Sequence, residues 1–217
     1  MKIRAFYTRN GDLKFISHLN TINLLQRAVF STNEEVAFSE GFNPHPIMSF
    51  GNPLPLGVSS DLEVFDVEFV NEIDISGFTK KMNEYLPKEV QIVRAYGAED
   101  SDSISKIIKN SVYEYTIYTR LDLSSIDVDI DDELIIVRER KTKKNHPREF
   151  IRENIASNIK ILSKFEKIDE DTYLLVAQLE NSVNKIINPV NFINGLFEKL
   201  NIKVPIEDVS IHKKDMK

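Results

Sequence analysis

Two histidines carry the chemistry most open to this chain. His18 stands directly after Ser17 at the head of an amphipathic segment, and His45 is set between Pro44 and Pro46 in the run Ser39-Glu40-Gly41-Phe42-Asn43-Pro44-His45-Pro46. An imidazole titrates near neutral pH, so each ring can serve as general acid, general base or neutral hydrogen-bonding partner. Proline fixes its own φ, removes a backbone donor and presses the preceding residue into extended backbone, so Asn43 and His45 are held on a stiff, non-helical path. The run Pro53-Leu54-Pro55-Leu56-Gly57 follows closely, and Gly41 and Gly57 are the expected turning points at the two ends of the segment. A ring at a helix N-terminus is disfavoured from charging, which suits His18 to a neutral role. The blander alternatives are a local hydrogen-bonding partner for His18 and, for His45, a rigid corner whose ring packs over a neighbouring strand.

Charge supplies a second set of candidates. The net charge of −6 argues against indiscriminate nucleic-acid binding over the whole surface, yet its distribution is uneven. Asp122, Asp127, Asp129, Asp131, Asp132 and Glu133 form an acidic block, and Arg138, Arg140, Lys141, Lys143, Lys144, Arg148 and Arg152 follow it as a basic one. Such a block is a candidate phosphate or nucleic-acid face, with a solvated hairpin as the competing reading. Phe42 and Tyr7 are candidates for stacking on bases, although aromatics at such positions more often belong to a core. The absence of cysteine (Cys 0) removes disulfides, thiolate zinc sites, cysteine nucleophiles and cysteine-ligated iron–sulfur clusters. His146 and His212 have no spacing that suggests a metal site, so neither metal nor cofactor is expected on this polypeptide.

The elements that must position these residues read as α+β. With 217 residues and 41% hydrophobic content the chain can bury a real core. Ile3-Arg4-Ala5-Phe6-Tyr7 predicts a strand, and Asn10-Gly11-Asp12 a turn. Ser17 predicts an N-cap for a helix over residues 18 to 31, with Leu19, Ile22, Leu25 and Val29 on its packed face. Strands are expected at 36–38, 47–50, 63–70 and 90–95, and Ile75, Phe78, Met82 and Tyr85 predict a helix ending near Pro87. The order β-α-β-β-α-β is that of a ferredoxin-like unit over residues 1–97, with a polar boundary at 97–103. Residues 98–217 read as a strand-rich α+β unit, with strands near 112–120, 133–141, 148–153, 158–166, 172–179 and 207–213. Asn188 caps a helix that begins at Pro189 and buries Phe192, Leu196, Phe197 and Leu200. A second, distorted ferredoxin-like unit fits this tally.

Four runs together carry a family resemblance. Gly11-Asp12-Leu13-Lys14-Phe15-Ile16-Ser17-His18-Leu19 with Gln26-Arg27-Ala28, then Val36-Ala37-Phe38 leading into the histidine run, then Pro53 to Ser60, closely resemble the radical-SAM-linked proteins of the DUF2344 family. The resemblance is strong over residues 2 to about 70 and weaker around 138–155. It departs from the family at Asn20, where relatives usually carry aspartate, and at Asn23, where they carry arginine. The resemblance implies an accessory protein encoded beside, or fused to, a radical-SAM enzyme with a cobalamin-binding type of domain, in the setting of RNA metabolism. A cysteine-free chain cannot hold the cluster that generates the radical, so its expected role is to bind that partner, its RNA substrate, or both. The expected binding residues are Ser17, Arg27, Gly41, Phe42, Asn43, His45, Arg138, Arg140, Arg148 and Arg152, with His18 and His45 as the catalytic candidates.

Two other readings stand beside this one. Ferredoxin-like units with a histidine near the first helix are similar to Cas6-like endoribonucleases, in which His18 and His45 would flank one scissile phosphate without a metal. A small-molecule binder would show a deep pocket under the proline-rich loop. No apolar run is long enough to cross a bilayer, and the N-terminal residues do not resemble a secretion signal, so a cytoplasmic location is expected.

Overall fold

Alternation of apolar residues puts Ile3, Ala5 and Tyr7 on one face of β1 (Lys2–Arg9), and a helix that buries a matching stripe follows as α1 (His18–Ser31). The computed structural model describes residues 1–99, 101–140 and 149–217, which form two units: Met1–Ile108 with Lys213–Lys217, and Lys109–His212. The first continues through β2 (Met48–Phe50), β3 (Val58–Glu68), α2 (Ile75–Tyr85), β4 (Ile92–Gly97) and the single turn α3 (Ile104–Ile107). Its sheet runs β4-β1-β3 with β2 on the far side of β3, every one of these pairs antiparallel, which is the ferredoxin-like order. The helices cover the face that carries Ile3, Ala5, Tyr7, Phe65 and Val67.

Side chains decide where this differs from expectation. The buried stripe of α1 is Thr21, Leu25, Ala28 and Val29, while Leu19 is 65% exposed. At 3.6 residues per turn Leu19 lies about 120° round the helix from Leu25, which takes it off the packed face. Residues 36–38 make only isolated bridges, Val36 to Phe69 and Phe38 to Pro46, because a proline partner offers no N–H to extend the ladder. Phe78 and Met82 are buried on α2, whereas Tyr85 is exposed. The first unit runs past residue 97 to Ile108, since Ile104 and Ile108 pack with Phe6 and Val64 on the second face of the sheet.

The second unit comprises β5 (Asn110–Tyr118), β6 (Ile135–Arg140), β7 (Glu149–Asn154), β8 (Ile159–Ile161), β9 (Glu166–Asp169), β10 (Thr172–Glu180), α4 (Pro189–Lys199) and β11 (Val209–Met216), whose last residues return to the first unit. The strand expected over 158–166 is two short ones, β8 against Ala177–Leu179 and β9 against Thr172–Leu174 of the same partner. The order β11-β5-β10-β8 repeats the ferredoxin-like sequence of positions, and the hairpin β6–β7 stands where a first helix would be. Asn188 caps α4 by accepting from the amides of Val190 and Asn191, with Pro189 in the first turn where its missing N–H costs nothing. Among the described residues no helix is long and apolar enough to cross a membrane.

Candidate functional site

The histidine loop is built on a narrow base. Phe38 bridges Pro46, the Ser39 amide donates to the His45 carbonyl at 2.9 Å, and the Ile47 amide donates to the Ala37 carbonyl at 2.8 Å. Between these rungs Gly41 takes φ +125°, an angle closed to most side chains, with open space where a Cβ would be. Ser39 Oγ accepts from the His45 amide at 3.2 Å and lies 2.9 Å from His45 Nδ1, so the hydroxyl orients the ring while His45 itself stays exposed. Nδ1 also sits 3.4 Å from the Asn43 carbonyl, and Nε2 has no hydrogen bond among the described residues. Gly41, Phe42, Asn43, Pro44 and His45 are all exposed.

His18 occupies a different environment. Ser17 Oγ accepts from the Asn20 amide at 3.2 Å and starts α1, placing the ring edge-on to Phe50 with centroids 6.4 Å apart. Burial lowers the His18 pKa; Glu63 raises it in opposition, and Arg9 lowers it further. The neutral imidazole is therefore the favoured form, in keeping with its place at a helix start. The neighbours of His18 and of His45 do not overlap: Phe50, Glu63 and Arg9 for one, Ser39 and Asn43 for the other.

The group that organises this region is Arg9, with Glu63 beside it. Arg9 is 2% exposed, and its guanidinium donates to the carbonyls of Pro55 at 2.9 Å, Val58 at 3.1 Å and Lys14 at 3.4 Å. The Gly57 amide, at φ +80°, also donates to the Lys14 carbonyl at 2.9 Å. One buried cation thus binds the second proline run to the 3-10 turn Gly11–Phe15. Glu63 accepts from Ser60 Oγ at 2.8 Å and from Lys213 Nζ at 2.9 Å, with both charged side chains buried. Tyr7, buried between these charges, has its pKa pushed up by burial and by Glu63. It belongs to the core and offers no surface for a base, which is the more common of the two readings its sequence position allowed.

The basic block is only partly described. Arg138 donates to Glu153 at 2.9 Å, and Lys185 bonds the same carboxylate, so the Lys185 bond first and the Arg138 bond second hold the Glu153 pKa down. Arg138 is thereby engaged in a salt bridge, while Arg152 is exposed on the neighbouring strand and Arg27 is exposed on α1. Arg148 and the Arg140 side chain lie outside the described residues, as do Lys141, Lys143, Lys144 and His146. Among the described residues no group of three or more histidine, aspartate or glutamate side chains could hold a metal ion.

A family model described as "Uncharacterized protein conserved in bacteria (DUF2344)" matches residues 2–189. The chain belongs to the DUF2344 family. No curated protein matches it. Among solved structures it is similar to a chain of a Cbf5-Nop10-Gar1 complex, at 10% identity and a TM-score of 0.48, covering 98% of this chain and 48% of that one. A likeness at that level supports no functional argument.

The DUF2344 motif runs share one property that composition does not announce. Phe15, Leu19, Phe38, Phe42 and Leu56 all lie within them, and all are exposed, Phe42 completely so at 106%. Phe38 stacks on Phe30 at a centroid distance of 6.1 Å, and Gly57 packs at 3.6 Å from Phe15 were it to carry a Cβ. Arg9 and Glu63 escaped the sequence reading, although a signal was present. Each stands in an apolar alternation, Ile3-Ala5-Tyr7-Arg9 and Glu63-Phe65-Val67-Phe69, at a position where the period demands burial.

Proposed function

We propose that this chain is an accessory binding protein that uses the surface of its motif runs to receive a radical-SAM enzyme of the cobalamin-binding type, and so presents that enzyme's RNA substrate. The observation that carries the reading is Phe42: a wholly exposed aromatic on a loop whose backbone is pinned at Ser39, His45 and Pro46. Large aromatics are held out to solvent at a cost in solubility, and rigid aromatic anchors are what partner pockets take up. The exposed Phe15, Leu19 and Leu56 add apolar area on the same motif runs. The resemblance stated above supplies the partner's class, and a chain without cysteine would leave the radical step to that partner.

Affinity co-purification of the full chain with the radical-SAM protein encoded beside it tests this. Retention at near one-to-one stoichiometry is expected, reduced at least tenfold by Phe42→Ala, since truncating a central anchor commonly removes about 2 kcal/mol or more. Absence of association with and without added RNA overturns the reading. The ribonuclease alternative needs His18 and His45 on one phosphate, and the separate neighbours of the two rings give it no support.

A further inference from the structure

The first unit's sheet has a second face, away from α1 and α2, and a hollow of about 520 Å³ opens on it. Strand register builds it: on this face Arg4 pairs with Tyr96 and Phe6 with Arg94 across β1 and β4, while Asp66 and Val64 stand opposite Arg4 and Phe6 on β3. Phe6, Val64 and Ile108 are buried at its base, and Leu62, Ile107 and Met216 add apolar wall. The Tyr96 ring stacks with Phe6 at 6.0 Å. Over Phe6, with its Cζ 4.0 Å from the ring centroid and 6.0 Å from that of Tyr96, lies the guanidinium of Arg94.

The two arginines of the hollow are in opposite states. Arg4 is spent: its Nε and one terminal nitrogen hold Asp66 at 2.7 and 2.9 Å, and the latter also donates to the Asp102 carbonyl at 2.6 Å. Arg94 is exposed, and among the described residues no carboxylate pairs with it, so a flat cation is fixed against an aromatic base with its outer side open. Two carboxylates, Asp102 and Asp215, line the same hollow, and an ionised carboxylate only accepts hydrogen bonds.

We propose that this hollow binds the purine base of an unpaired nucleotide. A guanidinium plane and a tyrosine ring are surfaces on which bases stack. Carboxylates at the rim suit the exocyclic amino group that adenine and guanine present and uracil lacks, and the volume is that of a nucleoside-sized ligand. The two carboxylates disfavour a bare anion, Arg94 disfavours a cation, and the charged lining disfavours an apolar ligand. The same chemistry serves a base within single-stranded RNA or a free purine nucleotide. The inference deepens the RNA part of the proposed function, but it involves none of the motif-run residues on which partner docking rests.

Binding is measured with the full chain, by fluorescence anisotropy with labelled single-stranded octamers of adenylate and of uridylate, and by calorimetry with AMP and GMP. The adenylate octamer is expected to bind more tightly than the uridylate one, and Arg94→Ala and Tyr96→Ala each to weaken it by about tenfold, the effect of removing one stacking surface. Val183→Ala, at an exposed residue assigned to neither surface, serves as the unchanged control, and co-purification of the parent with the radical-SAM protein is scored as a separate readout, so that a failure of base binding is distinguished from a failure of partner docking. Should either alanine variant fail to fold, Asp102→Asn and Asp215→Asn on the rim report instead, through loss of the purine preference. AMP or GMP binding as tightly as the octamer identifies a free nucleotide as the ligand, and binding of the octamer alone identifies RNA. Equal affinity for adenylate and uridylate, unchanged binding in the variants, or no binding of any purine probe overturns the proposal.

Discussion

Burial sets the protonation of His18, and the consequence can be read in stability. A histidine whose folded pKa lies below its unfolded value of 6.5 binds fewer protons folded than unfolded as the pH falls through that window. Stability is then complete above pH 6.5 and declines as the pH drops from 6.5 toward the lowered folded value. Proton NMR of the His18 ring is expected to show a midpoint below 6.5, and Glu63→Gln, which removes the opposing carboxylate, to lower it further. A midpoint at or above 6.5 would refute the assignment. At this scale the sequence disclosed what backbone chemistry announces: prolines around His45 and a serine before His18 gave their settings. It did not disclose Arg9, because a buried guanidinium that holds three carbonyls depends on chain segments 46 and 49 residues away.

Elements were legible wherever a local rule acts alone. Ser17, Asp74 and Asn188 each accept backbone hydrogen bonds at the start of α1, α2 and α4, and two of the three were visible as caps, Ser17 with its helix over 18–31 and Asn188 with a helix that starts at Pro189. Tyr85 lies nearly in phase with Phe78 yet is exposed, because periodicity gives the phase of a stripe without saying which turns of the helix reach the sheet, whereas Leu19 is out of phase with the buried stripe altogether. Gly195 shows the same limit from the other side. It lies between Phe192 and Leu196 on the packed face of α4, and a Cβ there would fall 2.7 Å from the Ile135 carbonyl oxygen and 2.9 Å from Ile136 Cγ2. The glycine is what lets α4 lie directly on β6. Alanine in place of glycine ordinarily strengthens a helix interior by about 1 kcal/mol. Here overpacking against backbone reverses the sign, and Gly195→Ala is expected to destabilise the second unit by about 1–3 kcal/mol in urea unfolding. A variant as stable as the parent, or more so, would show that α4 can move away from β6.

On the scale of the molecule, the sequence could suggest two ferredoxin-like halves but not that the chain's last residues complete the first one. Lys213–Lys217 belong with Met1–Ile108, and they bring a directly bonded cation to a carboxylate that Ser60 supplies with only a neutral donor. Glu63 stands on the core face of β3, 5% exposed, and its oxygen receives Ser60 and Lys213 only because β11 arrives beside β3 after 150 residues. Two buried charges of this kind add little net stability as a pair, because desolvation offsets their attraction, but removing one strands the other. Lys213→Met is therefore expected to cost about 3–5 kcal/mol in the stability of the first unit. Glu63→Gln added to Lys213→Met should recover much of that loss, since a neutral amide needs no counter-charge and can still accept from Ser60. Urea unfolding of the parent, the single variant and the double variant, followed by a tyrosine signal and by circular dichroism, measures the three. Equal stability of Lys213→Met and the parent would mean that Glu63 is solvated rather than held by the returning strand, and that the first unit is complete at Ile108.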